Sequence, residues 1–233
     1  MANDAPEIVL LPGLDGTGEL FDRIVPHLAR EFAVTVVRYP DDVSLGYAGY
    51  VELVRHAIGN RPVYVLGESF SGPVAVLLAA QLGEQILGIV LAATFVKNPW
   101  PGWIIRRSAR LEMPRDIRDA VLMGAYGDPE LQKKLDHIVE NLSRPVRIAR
   151  LRAVAGVDVK PEFMRLTCPV LAVHGRYDWL VPMAPMQKAI AEKGRARMIA
   201  FPAAHMLLQT CAADAATEII EFSKSSAEEN YEA

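Results

Sequence analysis

The residues best suited to covalent chemistry are concentrated in one segment. Val63 to Leu66 is an apolar strand, Gly67-Glu68-Ser69-Phe70-Ser71-Gly72 is a turn of mostly small and polar residues, and Pro73 to Leu82 is an apolar helical stretch that follows at once. A strand that turns sharply into a helix through a serine lifts one hydroxyl above the sheet edge and aims the positive end of the helix at it. A serine hydroxyl alone is a weak nucleophile. The turn matters because a base and backbone N–H donors can both reach Ser69 there. On its own the segment also fits a buried strand–turn–helix with ordinary serines. The base must come from five histidines. His27 and His56 lie in helical stretches, His137 sits beside Asp136 and Glu140, His174 ends a strand, and His205 follows the last one. Asp178, just past an apolar run, reads in isolation as a turn or helix-capping residue. Gly13, Gly16 and Gly18 follow a strand, but their G-x-x-G-x-G spacing matches neither the dinucleotide fingerprint nor a Walker sequence. Asp15 between them reads as an Asp-Gly turn.

The elements that must position these groups alternate along the chain. Strands are expected at Ile8–Leu11, Val34–Val37, Val63–Leu66, Ile89–Ala93, Val170–Val173 and Arg197–Phe201. Helices are expected at Leu20–Leu28, Tyr47–Ile58, Pro73–Leu82, Ala184–Glu192 and Leu207–Ser223, with Gly59 and Gly194 as stops. This order implies an α/β fold, a mostly parallel, doubly wound sheet of about six strands covered on both faces. Residues 97–165 break the alternation with helical patches and no strong strand. The acidic tail from Ser223 to Ala233 is expected to fray.

With the elbow and this alternation, residues 7–222 resemble the α/β-hydrolase superfamily. The resemblance implies a core without its first hairpin, because the Pro12-Gly13 loop already follows the first strand. It implies one domain over 1–233, with a small helical cap at 97–165. It also implies the order serine, acid, histidine for the catalytic groups. Ser69 is then the nucleophile. Asp178, in a stretch that reads His174-Gly175-Arg176-Tyr177-Asp178 and runs on to Val181-Pro182, is the acid, and His205 is the base. Leu91 to Trp100 holds no Asp or Glu, which closes the alternative acid position. The backbone N–H groups of Phe70 and Leu14 are the implied oxyanion donors. One departure stands out. The family run is G-x-S-x-G, but Ser71 occupies the last glycine position and Gly72 comes one step late. Some strain is expected from this, without loss of the turn. Ser71 as nucleophile would push the turn into the helix, so Ser69 is preferred.

Composition bounds the function. The chain has 233 residues, about half of them apolar, which suits one globular domain. A net charge of −3 gives no reason to expect nucleic acid. Cys168 and Cys211 form no disulfide framework and show no metal-ligand spacing, so both read as buried thiols. The longest apolar stretches, such as Ile86–Val96, are too short to span a membrane, and Met1–Pro6 lacks the features of a secretory signal; a cytoplasmic protein is expected. Residues 97–165 carry ten Arg, four Lys and nine acidic residues, a net of +5. That charge reads as solvated helix faces or as a preference for an anionic substrate. Trp100 and Trp103 open the segment and Trp179 adjoins Asp178. The three are candidates for a substrate pocket, and the first two equally for a hinge or for packing. The function expected is a serine hydrolase of a small carboxylic ester or thioester, working through an acyl-enzyme, with no cofactor or metal. The rivals on the same site are an acyltransferase, a C–C bond hydrolase and a perhydrolase. A non-catalytic binding protein is the rival of another class.

Overall fold

The computed structural model describes residues 5–231, with side chains to residue 227. Among them, six strands form one parallel sheet in the order β2-β1-β3-β4-β5-β6. The strands are β1 (Glu7–Leu11), β2 (Ala33–Val36), β3 (Val63–Glu68), β4 (Ile86–Ala92), β5 (Val170–Gly175) and β6 (Ala196–Phe201). The helices that cover the sheet are α1 (Val25–Leu28), α2 (Tyr47–Ile58) and α3 (Gly72–Leu82) before the break. Between β4 and β5 come α4 (Gly102–Ser108), α5 (Arg115–Leu122), α6 (Pro129–Asn141), α7 (Arg144–Gly156) and α8 (Lys160–Arg165). The chain continues with α9 (Met183–Lys193), α10 (Leu207–Thr210) and α11 (Ala212–Tyr231).

The strand sequences explain the layers. Alternate residues of the inner strands feed two separate cores. Val9, Leu11 and Val65 pack with α2, α3 and α9 on one face. Ile8, Leu10 and Leu66 pack with Phe21, Leu28, Ile219 and Phe222 on the other. A strand buried on both faces must be apolar throughout, which is why the strands read as continuous runs rather than alternating ones. Two expected helices are divided. Leu20–Leu28 becomes a 3-10 turn at Glu19–Arg23 and the short α1, since Pro26 has no N–H to continue a ladder. The C-terminal helix breaks at Cys211 and then continues to Tyr231, so fraying does not begin at Ser223; Glu232 and Ala233 lie outside the described residues, as do Met1–Asp4 of the N-terminal stretch. Cys168 and Cys211 are half-buried free thiols rather than buried ones. No helix among the described residues is long and apolar enough to cross a membrane.

The sheet order reverses direction between β1 and β3, which are neighbours although β2 lies between them in sequence. Loops that leave the carboxyl ends of such a pair diverge and leave a crevice. The register sets what meets there. Leu11 lies beside Gly67, Glu68 beside Ala92, Val173 beside Ala92, and Gly175 beside Phe201. The loops after β1, β3, β5 and β6 therefore emerge along one edge. Within the 97–165 segment the chain closes on itself at 97 and 158, before α8. Lys97 bridges Asp158 through the backbone and an ion pair of 2.7 Å, and the Val159 N–H donates to the Val96 carbonyl at 2.8 Å.

Gly67 is where the elbow's backbone packs against its own strand. A Cβ there would stand 2.5 Å from the Ser71 carbonyl oxygen and 3.0 Å from the Ala75 Cβ. Backbone cannot yield as a flexible side chain can, so Gly67→Ala is expected to destabilise by about 1–3 kcal/mol through overpacking. Urea unfolding checks this, and an unchanged midpoint would mean that α3 moves off β3 without cost.

Candidate active site

Ser69 leaves β3 with φ at 49°, a left-handed conformation that non-glycine residues adopt only when their surroundings enforce it. Three contacts enforce it here. Gly67 lets α3 close against the strand end. The Thr94 hydroxyl donates to the Ser69 carbonyl from the loop after β4. Gly72 packs against the Thr94 side chain, where a Cβ would collide. The smallest residue is thus required at 72, and position 71 is free to carry a side chain. Ser71 has ordinary helical angles (φ −88°, ψ −2°), so the strain expected at this substitution is absent. Its buried hydroxyl donates to the Pro12 carbonyl at 2.5 Å and contacts the Tyr39 hydroxyl at 2.7 Å, facing away from the role of nucleophile.

The three residues singled out by the resemblance come together from the ends of three strands. His205 Nε2 lies 2.9 Å from Ser69 Oγ, and His205 Nδ1 lies 2.8 Å from Asp178 Oδ2. The other Asp178 oxygen accepts the N–H groups of Leu180 and Val181, at 2.9 and 2.8 Å, which leaves the carboxylate little freedom to rotate. The loops that carry the acid and the histidine are laced together. The Tyr177 N–H donates to the Ala203 carbonyl at 3.0 Å, and Gly175 gives the approach its space, since a Cβ would stand 2.5 Å from that carbonyl oxygen. His174, at the end of β5, takes a structural place. It is fully buried, its Nε2 donates to the Val181 carbonyl at 2.7 Å, and burial lowers its pKa.

The loop after β1 lies against the serine, because a Cβ on Gly13 would stand 3.9 Å from the Ser69 Cβ. The Gly16 N–H donates to the Gly13 carbonyl at 3.1 Å, closing a turn. In a planar trans peptide the N–H points opposite to the C=O, so the Leu14 N–H faces away from that turn. The Phe70 N–H begins the elbow helix and has no partner within it. Asp15 is explained by its own turn, with one oxygen accepting from the Thr17 N–H at 2.8 Å and the Thr17 hydroxyl at 2.5 Å.

Glu68 was not singled out by the sequence reading, although a charged residue directly after an apolar strand marks it. It is 7% exposed, one oxygen accepts from Gln209 Nε2 at 2.9 Å, and the other lies near Gly13. Burial pushes its pKa up to about 7, against the Gln209 hydrogen bond and with help from Asp15. The candidate pocket tryptophans divide. Trp100 donates its indole N–H to the Leu180 carbonyl at 2.8 Å, tying the start of the 97–165 segment to the acid loop, while Trp103 and Trp179 are 65% and 79% exposed. None of the three lines the cavity of about 170 Å³ beside Thr94, Phe95 and Met186. No cluster of three or more metal-ligating side chains occurs among the described residues.

Residues 8–218 match the model of the Alpha/beta hydrolase family, and the chain belongs to that family. It is 29% identical to a pimeloyl-[acyl-carrier protein] methyl ester esterase of Aeromonas hydrophila, over 77% of this chain and 80% of that protein. Among solved structures it is similar to an enol-lactonase from Burkholderia xenovorans, with a TM-score of 0.84 and 18% identity over 94% of this chain and 92% of the other. An esterase from Exiguobacterium antarcticum gives a TM-score of 0.83 at 14% identity, again over 94% and 92%. These two likenesses show the shared fold.

Burial opposes a charged His205, but the Asp178 charge and hydrogen bond outweigh it and Glu68 adds to them, so the imidazole pKa is raised above its ordinary value. Glu68→Gln removes one of the raising charges. Titration of the His205 ring by NMR is expected to show a midpoint above 6.5 in the wild type and a lower one in the variant. Coincident curves would mean that the Glu68 charge does not reach the imidazole.

Proposed function

We propose that this protein is a serine ester hydrolase that cleaves a small carboxylic ester or thioester through an acyl-enzyme. The observation that carries the reading is the continuous hydrogen-bonded line from Asp178 through His205 to Ser69, with steps of 2.8 and 2.9 Å. His205 Nε2 takes the hydroxyl proton as Ser69 Oγ attacks the acyl carbon. Asp178 holds Nδ1–H, fixes the tautomer and stabilises the imidazolium. The carbonyl oxygen becomes an oxyanion, met by the N–H groups of Leu14 and Phe70. Collapse of the tetrahedral intermediate expels the alcohol or thiol, which receives the His205 proton. Water then attacks the acyl-enzyme with His205 again as base, releasing the acid and restoring Ser69.

The chain is read as one domain, with 97–165 as a helical cap over the crevice. The net +5 of that segment favours an anionic substrate or one delivered by an anionic carrier, against −3 for the whole chain. The activity for which the Aeromonas relative is named, on the methyl ester of a carrier-bound acyl chain, agrees with this preference and supplies a second substrate to try.

A p-nitrophenyl ester series from short to long acyl chains tests the reading, with Ser69→Ala as control. Wild-type turnover is expected, and a loss on the order of 10⁴-fold in the variant. A fluorophosphonate should label the wild type once, at Ser69. A folded wild type with neither turnover nor label would favour a binding protein, and equal turnover in both would remove Ser69 from its role.

A further inference from the structure

We propose that Arg150 is a positioning residue for the oxyanion loop, a role that rests on the serine-hydrolase reading above. Arg150 lies on α7, inside the 97–165 segment, and its side chain is fully buried. It is ion-paired with no carboxylate among the described residues. Its Nη1 donates to the carbonyls of Leu14 at 2.9 Å and Asp15 at 2.7 Å, its Nη2 to the Pro40 carbonyl at 3.1 Å, and its Nε to the Tyr50 hydroxyl at 3.1 Å. The guanidinium carbon sits 5.9 Å from the ring centroids of both Tyr39 and Tyr50. Burying a cation without a counter-charge is costly, and a well-packed apolar side chain commonly serves stability as well or better. What this arginine does that an apolar residue cannot is hold carbonyl oxygens.

The carbonyls it holds are the ones that matter for the loop. From Pro12 to Gly16 every carbonyl has a donor. Pro12 accepts from the Ser71 hydroxyl, Gly13 from the Gly16 N–H, Leu14 and Asp15 from Arg150, and Gly16 from the Tyr39 N–H. A peptide plane fixed by its carbonyl fixes the N–H of the next residue the opposite way, so Arg150 on the Asp15 carbonyl sets the Gly16 N–H, and that N–H on the Gly13 carbonyl sets the Leu14 N–H. Gly16 makes the fit mutual. Its φ is 74°, and a Cβ there would stand 2.6 Å from Arg150 Nη1, so the guanidinium lies flat against the turn. Without Arg150 the 15–16 peptide loses the donor to its carbonyl, the Gly16 N–H loosens its hold on the Gly13 carbonyl, and a flip of the 13–14 peptide turns the Gly13 oxygen to where the Leu14 N–H had pointed. An acceptor there repels the oxyanion that the Leu14 N–H is meant to stabilise.

The role predicts a loss confined to the transition state. Arg150→Met and Arg150→Lys are compared with the wild type on the best p-nitrophenyl ester. Their folded fraction is followed by circular dichroism. KM is expected to stay within about threefold, while kcat falls by about 10²–10³-fold in Arg150→Met, as for loss of one oxyanion donor. Arg150→Lys, which keeps one charged donor, should recover part of the rate. A trifluoromethyl ketone forms a tetrahedral adduct with Ser69 that carries the oxyanion. Its affinity should weaken by the same factor as kcat/KM, whereas an unreactive amide of the same acyl chain should bind unchanged. A merely structural arginine would lower the melting temperature without this split. If Arg150→Met does not fold, Tyr50→Phe carries the test, with a smaller loss of the same pattern. Folded variants with wild-type kcat and ketone affinity, or with only KM raised, overturn the proposal. An inactive, unlabelled wild type instead overturns the reading of the site and this proposal with it.

Discussion

Everything at the candidate site depends on the parting of β1 and β3. The two strands pair in register to Leu11 and Gly67, and then one chain goes toward β2 and the other into α3. The crevice this opens is narrow because Gly67 allows α3 to sit directly on its own strand. Ser69 is held in a left-handed conformation at that point, and the loop from β1 is pressed against it. The parallel register then brings the ends of β5 and β6 to the same edge, so Asp178 and His205 need only short loops to arrive. A shift of one residue in any of these pairings would turn each strand's apolar set around and remove a functional group from the edge.

Two kinds of polar group are buried around this crevice, and they do different work. Asp178, His205 and Glu68 are titratable and near one another, so the charge of each is felt by the others. Ser71, Thr94, Tyr39 and Arg150 instead spend their donors on backbone carbonyls or on each other. The first set is suited to moving a proton. The second keeps the backbone in a shape it would not otherwise hold.

The sheet was legible in the sequence for a physical reason, while Asp178 and His205 were singled out by the family resemblance. Inner strands buried on both faces are continuous apolar runs, and the candidate site residues lie in the turns and loops after strands. The helix Tyr47–Ile58 appears with the same bounds because its apolar spacing and its terminal Gly59 agree. The division of Leu20–Leu28 at Pro26 was a signal present and not used. The meaning of Ser71 was hidden, because its partner Pro12 lies 59 positions away and only the folded chain joins them. Arg150 was hidden more deeply. It is one of ten arginines in a basic segment, and sequence periodicity does not separate a guanidinium aimed inward from nine others. The exposed tryptophans mark the same limit from the other side, since an aromatic residue signals burial only on average.

The closure of the 97–165 segment at its base has an evolutionary side. Because Lys97 and Asp158 stand together, the stretch between them leaves and re-enters the core at one place, like a cassette plugged into a socket. Such a cassette is free to be exchanged, lengthened or recoloured in charge while the strands beneath keep their order. Arg150 is an exception to that freedom, and so are Trp100, Leu122 and Asp128, whose contacts reach Leu180, Met206 and Arg23 outside the segment. The exposed helix faces of the segment therefore have more room for change than the residues that touch the core beneath them.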